Sequence, residues 1–308
     1  MSYRIDPRLP LASEVRRIAA EEIEAATGHL AGVGDSPDNA LHECRKRLKS
    51  LRALLRLIRP GDRKFAKAEN RRYREVAAWL AAPRDAAALI GTIDRLTAEF
   101  PEEAASGELA PIRDRLVARR DALLDGRLSK TADAAAAACR TGLARFEKMN
   151  LPDRPEAAAD ILADGVRATM KRARRALDRA RESGEATDFH DLRKAVKAHA
   201  RHLSLMKGFW PSPVKPRLKA LDALGERLGE LHDICVLRAL IKEEGRPLGS
   251  KAETRLLDRL ARRSQRKLRK QCLTDASELF RVGPGRTARR IVRKLRRDLA
   301  GQQPGSGA

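Results

Sequence analysis

Aromatic side chains are scarce in this sequence: two Trp, two Tyr and six Phe, 3% of 308 residues. That scarcity argues against a surface for single-stranded nucleic acid, where bases stack on aromatic platforms. The four cysteines, Cys44, Cys139, Cys235 and Cys272, are scattered and form no CxxC pair. They read as reduced thiols at half-buried apolar positions. No run approaches the roughly 20 apolar residues that a membrane span needs. The opening "MSYRIDPRLPLASEVRRI" has charges where the apolar core of a secretory leader would stand, so the expected compartment is the cytoplasm. No GxxxxGK[ST] loop, GxSxG elbow or HExxH pair occurs, which removes the commonest signatures of nucleotide, acyl and zinc chemistry.

Positive charge is abundant. Lys and Arg number 65 against 42 Asp and Glu, a net charge of +23 and a pI near 10.7. Such a chain concentrates polyanions around itself, whether nucleic acid, anionic membrane or polyphosphate. With 42% hydrophobic residues it is too apolar for a disordered basic tail.

The spacing of apolar residues is helical nearly throughout, and no strand-like alternation lasts. The periodicity predicts an all-α fold with helices over about 11–30, 39–58, 64–100 with a break or kink at Pro83, 111–124 and 130–148. After the linker "MNLPDRPEAA" come helices over about 157–182, 188–207, 216–244, 251–279 and 285–300. The tail 301–308, "GQQPGSGA", reads as disordered.

The two halves repeat one another. "LHECRKRLKSLRALLRLIRP" from Leu41 returns as "FHDLRKAVKAHARHLSLMKGFW" from Phe189. His42 matches His190, an offset of 190 − 42 = 148, and at that offset Arg45 matches Arg193, Lys46 matches Lys194 and Lys49 matches Lys197. The register continues without a gap, laying Arg84–Asp85 of "LAAPRDAAAL" over His232–Asp233 of "LGELHDICVL". Two like units, over about 11–150 and 156–300, are the economical reading.

At about 100° per residue, His42, Arg45, Lys46, Lys49, Arg52 and Arg56 fall within an arc of roughly 120°. Leu48, Leu51, Leu55 and Ile58 occupy a different sector, so one side packs and an adjoining side is charged. In the second copy His190, Arg193, Lys194 and Lys197 keep that arc; Ala200 replaces the arginine, and Arg201 enters the arc one position later. Clustering like charges at i,i+3 and i,i+4 costs a few tenths of a kcal/mol per pair. After Glu43 no carboxylate relieves it before Asp62. A solvated basic face is the plain alternative, and repetition of the pattern in register weighs against it. The histidines have no Cys, Asp or Glu at ligand spacing, and the flanking cations would repel a metal ion, so none is expected. Asp85 and Asp233 read as carboxylates that hold neighbouring cations in position. His199 and His202 fall on the packing side, and His29 at the surface.

These paired segments, each followed by "PRD" or "LHD" at equal spacing, resemble the CHAD domain, the conserved histidine α-helical domain. The resemblance spans about Leu11 to Ala300. It implies a single domain, 1–300, of two tandem four-helix bundles related by a pseudo-twofold around a basic central cavity or groove. It also implies a non-enzymatic, cofactor-free protein that binds inorganic polyphosphate and associates with polyphosphate granules. The matching ligand positions are His42, Arg45, Lys46, Lys49, Arg52, Arg56 and Arg84 in the first half, and His190, Arg193, Lys194, Lys197, Arg201 and His232 in the second. Lys219, aligned with Arg71, is a further candidate. His232 departs from the family pattern, and "AAP" stands where an "LG" turn sequence is usual.

A linear polymer with about one charge per phosphate and no bases needs a long cationic groove and no stacking platform, which suits this composition. Nucleic acid is the alternative partner. From Lys251 to Asp298 seventeen Lys and Arg face five Asp and Glu, in runs such as "RRSQRKLRK" and "RRIVRKLRR". Against it stand the few aromatics and the lack of a reading helix led by Asn, Gln or Arg. A membrane role lacks aromatic anchors on the terminal helix. Catalysis lacks the metal-binding ExExK signature of triphosphatases, since "EEIEAA" carries no Lys.

Overall fold

A computed structural model describes residues 3–105, 107–124, 127–210, 214–244 and 248–300, without the side chains of 83, 84, 127 and 298–300. Among these residues there are twelve α-helices, one 3₁₀ turn and no strand. They are α1 (Leu11–Ala31), α2 (Pro37–Leu57), α3 (Arg63–Trp79), α4 (Ala82–Glu99), α5 (Pro101–Ala104), α6 (Ala110–Leu123) and α7 (Arg127–Ala144). After the 3₁₀ turn Arg145–Lys148 come α8 (Pro155–Ser183), α9 (Ala186–Leu205), α10 (Val214–Glu244), α11 (Lys251–Leu279) and α12 (Pro284–Ala300). The candidate Arg84 and the tail 301–308 lie outside the described side chains and residues.

Prolines mark where sequence and structure part. The apolar period places helix starts at 39 and 157, whereas α2 opens on Pro37 and α8 on Pro155. Proline is tolerated in a helix's first turn because its missing N–H would be unpaired there anyway. For the same reason the expected break at Pro83 falls earlier, at Leu80–Ala81, and Pro83 sits in the first turn of α4. The "LG" read as a turn sequence, Leu228–Gly229, lies inside α10, one uninterrupted helix of 31 residues.

Each half begins with an antiparallel pair, α1 on α2 and α8 on α9. Helix α3 continues from α2, and α7 closes against α1 and α3; α10 continues from α9, with α11 and α12 on α8. One apolar core runs through both halves, including Val15, Leu48 and Leu51 of the first and Val166, Leu192 and Leu224 of the second. Caps fix several boundaries. Asp62 accepts from Phe65 N at 3.0 Å, and its second oxygen accepts from Asn150 N at 3.0 Å, tying the start of α3 to the linker. Gly184 ends α8 at φ 65, where a Cβ would be strained. Ser250 and Glu253 form a capping box on α11.

The halves meet where α2 crosses α8 and α9 and where α4 packs on α10. Gly165 permits the first crossing: a β-carbon there would collide with the Leu57 carbonyl oxygen. His202, fully buried, spans the same crossing. Its Nε2–H donates to the Ala53 carbonyl at 2.9 Å, leaving Nδ1 to accept from the Thr169 hydroxyl at 3.1 Å. His199 is equally buried, between Trp210 and Phe280. Burial pushes both pKa values down to about 3, so these rings are neutral packing elements. Cys44, Cys139 and Cys272 are buried, Cys235 is half-buried, and all four are free thiols.

Candidate anion-binding site

On α9, His190, Arg193, Lys194 and Lys197 follow i, i+3, i+4 and i+7 spacing and share one side of the helix. Across from them α10 presents Gly225 and Gly229. A β-carbon on Gly225 would stand 2.8 Å from Lys197 Cε, and one on Gly229 would stand 3.5 Å from Arg193 Nε. The two cationic stems thus lie along α10 in the lane that the glycines leave open. Lys197 Nζ ends 2.5 Å from Glu226, while Arg193 Nε is buried with no hydrogen-bond partner.

One turn beyond Gly229, His232 stacks on His190, with ring centroids 4.3 Å apart and planes inclined by 33°. Burial pushes the His190 pKa down to about 4, reinforced by His232, Lys194 and Arg193 and opposed by Asp191. His232 is pushed down to about 4 by burial and then by Arg193 and Lys194. Both rings are neutral at pH 7, and His190 Nδ1 is buried without a partner. Lys194, exposed, rests 2.5 Å from Asp191.

A second group centres on the last turns of α2. Arg56 lies near Arg52, Arg172 of α8 and Arg201 of α9; burial first and these cations next push its pKa down to about 10. Its Nε has no hydrogen-bond partner. Arg52, lowered by burial and by Arg74 and Arg45, donates to Asn70 Oδ1 at 3.3 Å. Arg201, lowered chiefly by burial, donates to the Ser50 hydroxyl at 3.4 Å and the Lys197 carbonyl at 3.2 Å. Beside these arginines the Tyr3 hydroxyl donates to the Ser50 carbonyl at 2.7 Å. Burial raises that phenol's pKa, so it stays protonated.

The two groups lie within each other's electrostatic reach. Arg193 acts on Arg201, and His42 acts on Glu226 across the halves. His42 is exposed and borders a cleft of about 400 Å³ with Asp38, Arg95 and Asp233. Elsewhere on α2, Lys46 pairs with Glu43 at 3.0 Å, and Lys49 is exposed. Arg45 donates to the Ala77 carbonyl at 2.6 Å and lies 4.0 Å from Asp85, so its head is directed at the junction of α3 and α4. Asp233 lies 3.5 Å from Arg95. Lys219 is exposed near the start of α10.

Several participants escaped the sequence pattern. Arg172 lies in the run "KRARR" of α8, where nothing local singles it out from its basic neighbours, and Arg95 stands apart from other cations in α4. Tyr3 comes from outside the repeat. Gly225 and Gly229 did leave a signal, since two glycines four apart in a predicted helix mark a close approach on one face.

A family model for the CHAD domain matches residues 17–242. The chain belongs to the CHAD domain family. Among solved structures, the crystal structure of the CHAD domain from the plant Ricinus communis is similar in fold, with a TM-score of 0.65 at 20% identity, covering 91% of this chain and 94% of that one. No curated protein matches the sequence. Within this CHAD protein no group of three His, Cys, Asp or Glu is placed to hold a metal among the described residues, and none of the described helices is long and apolar enough to cross a membrane.

Proposed function

We propose that this CHAD protein binds inorganic polyphosphate, without catalysing its breakdown, between cationic surfaces contributed by two tandem bundle repeats of one domain. The single observation that carries this reading is the half-buried pair Arg56 and Arg193, one from each half, whose Nε atoms are buried. Each has an Nε without a partner, and each stands among other cations. A buried donor costs free energy until an acceptor reaches it, and a chain of phosphate oxygens supplies acceptors in series. Asp191, Glu226 and Asp233 each hold a cation, which argues against these three serving as a magnesium-binding catalytic set. The CHAD resemblance implies the same ligand and association with polyphosphate granules.

Nucleic acid is the second reading, favoured by the basic C-terminal helices. A competition titration separates them. Long-chain polyphosphate should displace duplex DNA, with an affinity that falls steeply as salt rises. Tight duplex binding that long-chain polyphosphate fails to displace would reverse the order.

A further inference from the structure

The outermost helix, α12, lies beyond the residues matched by the family model and has a strongly divided surface. Thr287, Ala288, Ile291 and Leu295 are buried. Arg286, Arg289, Arg290, Arg293, Arg296 and Arg297 are all exposed. At about 100° per residue these six span an arc of roughly 120°, and no carboxylate shares that arc. Each neighbour at i+3 or i+4 within it is a like charge and destabilises the helix, and Arg286 adds a cation to the first turn, where the helix dipole is unfavourable. Helix α12 packs on α8 through its buried side, and of the exposed arginines Arg296 meets Asp160 of α8 at 3.6 Å. The face does not carry the aromatic or apolar anchors of a membrane-surface helix.

The exposed side of α8 connects this face to the central site. Arg172, whose charge bears on Arg56, is followed around α8 by exposed Arg175, Lys171 and Arg174. The Arg174 head approaches Gly283, at the start of α12, to 3.9 Å from the position a β-carbon would take. The carboxylates along the way are engaged: Asp164 holds Arg167 at 3.0 Å and Asp160 meets Arg296 at 3.6 Å.

We propose that this band is an outer track. A polyphosphate chain too long for the central site leaves it past Arg172, crosses the exposed side of α8 and continues along α12. The inference rests on the polyphosphate reading above and extends its site. Continuity with the central cations favours one polymer over a separate partner, and linking two weak contacts on one chain raises avidity without new chemistry.

The test compares Arg290→Glu/Arg293→Glu with the unaltered protein, using tripolyphosphate and chains of hundreds of phosphates at two salt concentrations. Both side chains are exposed and the change relieves like-charge repulsion, so thermal unfolding should not occur earlier. The outer track predicts unchanged tripolyphosphate affinity, at least about a tenfold loss for long chains and a shallower salt slope for them. Unchanged long-chain affinity overturns the track, as does a loss confined to duplex DNA. A parallel variant of the central site, Lys49→Glu/Lys194→Glu, reports on the other reading: if it binds tripolyphosphate as well as the parent does, the central site is what fails.

Discussion

Replacing Arg56 by Met should make the protein more stable and a poorer binder at once. The pKa of Arg56 is depressed from 12.5 to about 10, chiefly by burial and then by Arg52, Arg172 and Arg201. That depression corresponds to roughly 3 kcal/mol against the charged form. The sign follows from linkage: a cation whose folded pKa lies below its unfolded value destabilises the fold at every pH below about 10, and the cost fades only as pH rises through that value. Methionine keeps most of the aliphatic stem and leaves no charge to bury. Allowing for lost packing, the net gain should be about 1–2 kcal/mol, which raises Tm by roughly 1.5–3 °C in a chain of this size. Polyphosphate affinity should fall and the salt slope should shrink by about one phosphate contact. Differential scanning calorimetry with and without ligand reads both effects. A variant that unfolds earlier than the parent and binds polyphosphate equally well would refute the reasoning.

Four further outcomes follow from the geometry. Gly165→Ala drives a methyl into the Leu57 carbonyl, so α8 must move off α2; the expected cost is about 3 kcal/mol or more, read as an early thermal transition. Gly225→Ala meets only the far end of the Lys197 side chain; its stability should stay within about 1 kcal/mol of the parent while polyphosphate affinity falls, and equal affinity would remove the glycine lane from the site. Acid should weaken the fold through His190 and His232, pushed down to about 4 from 6.5, and through His199 and His202, pushed down to about 3. Folded values below unfolded ones mean that their contribution is complete above pH 6.5 and is lost as pH drops towards 4 and 3, so Tm should be flat from pH 8 to 7 with respect to these groups and fall below about 6. Bound polyphosphate should raise the His190 and His232 values, so binding at pH 5.5 should take up protons, measurable by calorimetry in buffers of different ionisation enthalpy.

The helices were legible because their apolar period is long and unbroken, as in α9 and α11. Their starts were not, because Pro37 and Pro155 read locally as breakers, whereas only the absence of an i−4 partner makes them acceptable in a first turn. The charged sector of α2 followed from its spacing, but spacing alone could not distinguish Arg45, directed at the α3–α4 junction, from Arg56, directed at the cations of the other half. That distinction depends on which helices cross α2, a long-range property. The neutral state of His190 has a cause visible in the sequence, the flanking Arg193 and Lys194; the larger cause, burial, together with the stacked His232, comes from tertiary packing.

The most direct test of the two-sided grip is a structure of the protein bound to a short polyphosphate. Phosphate oxygens should lie within hydrogen-bond distance of Arg193 or His190 from one half and of Arg52 or Arg56 from the other, on a single chain. Phosphates confined to one half, or found only along α11 and α12, would contradict it.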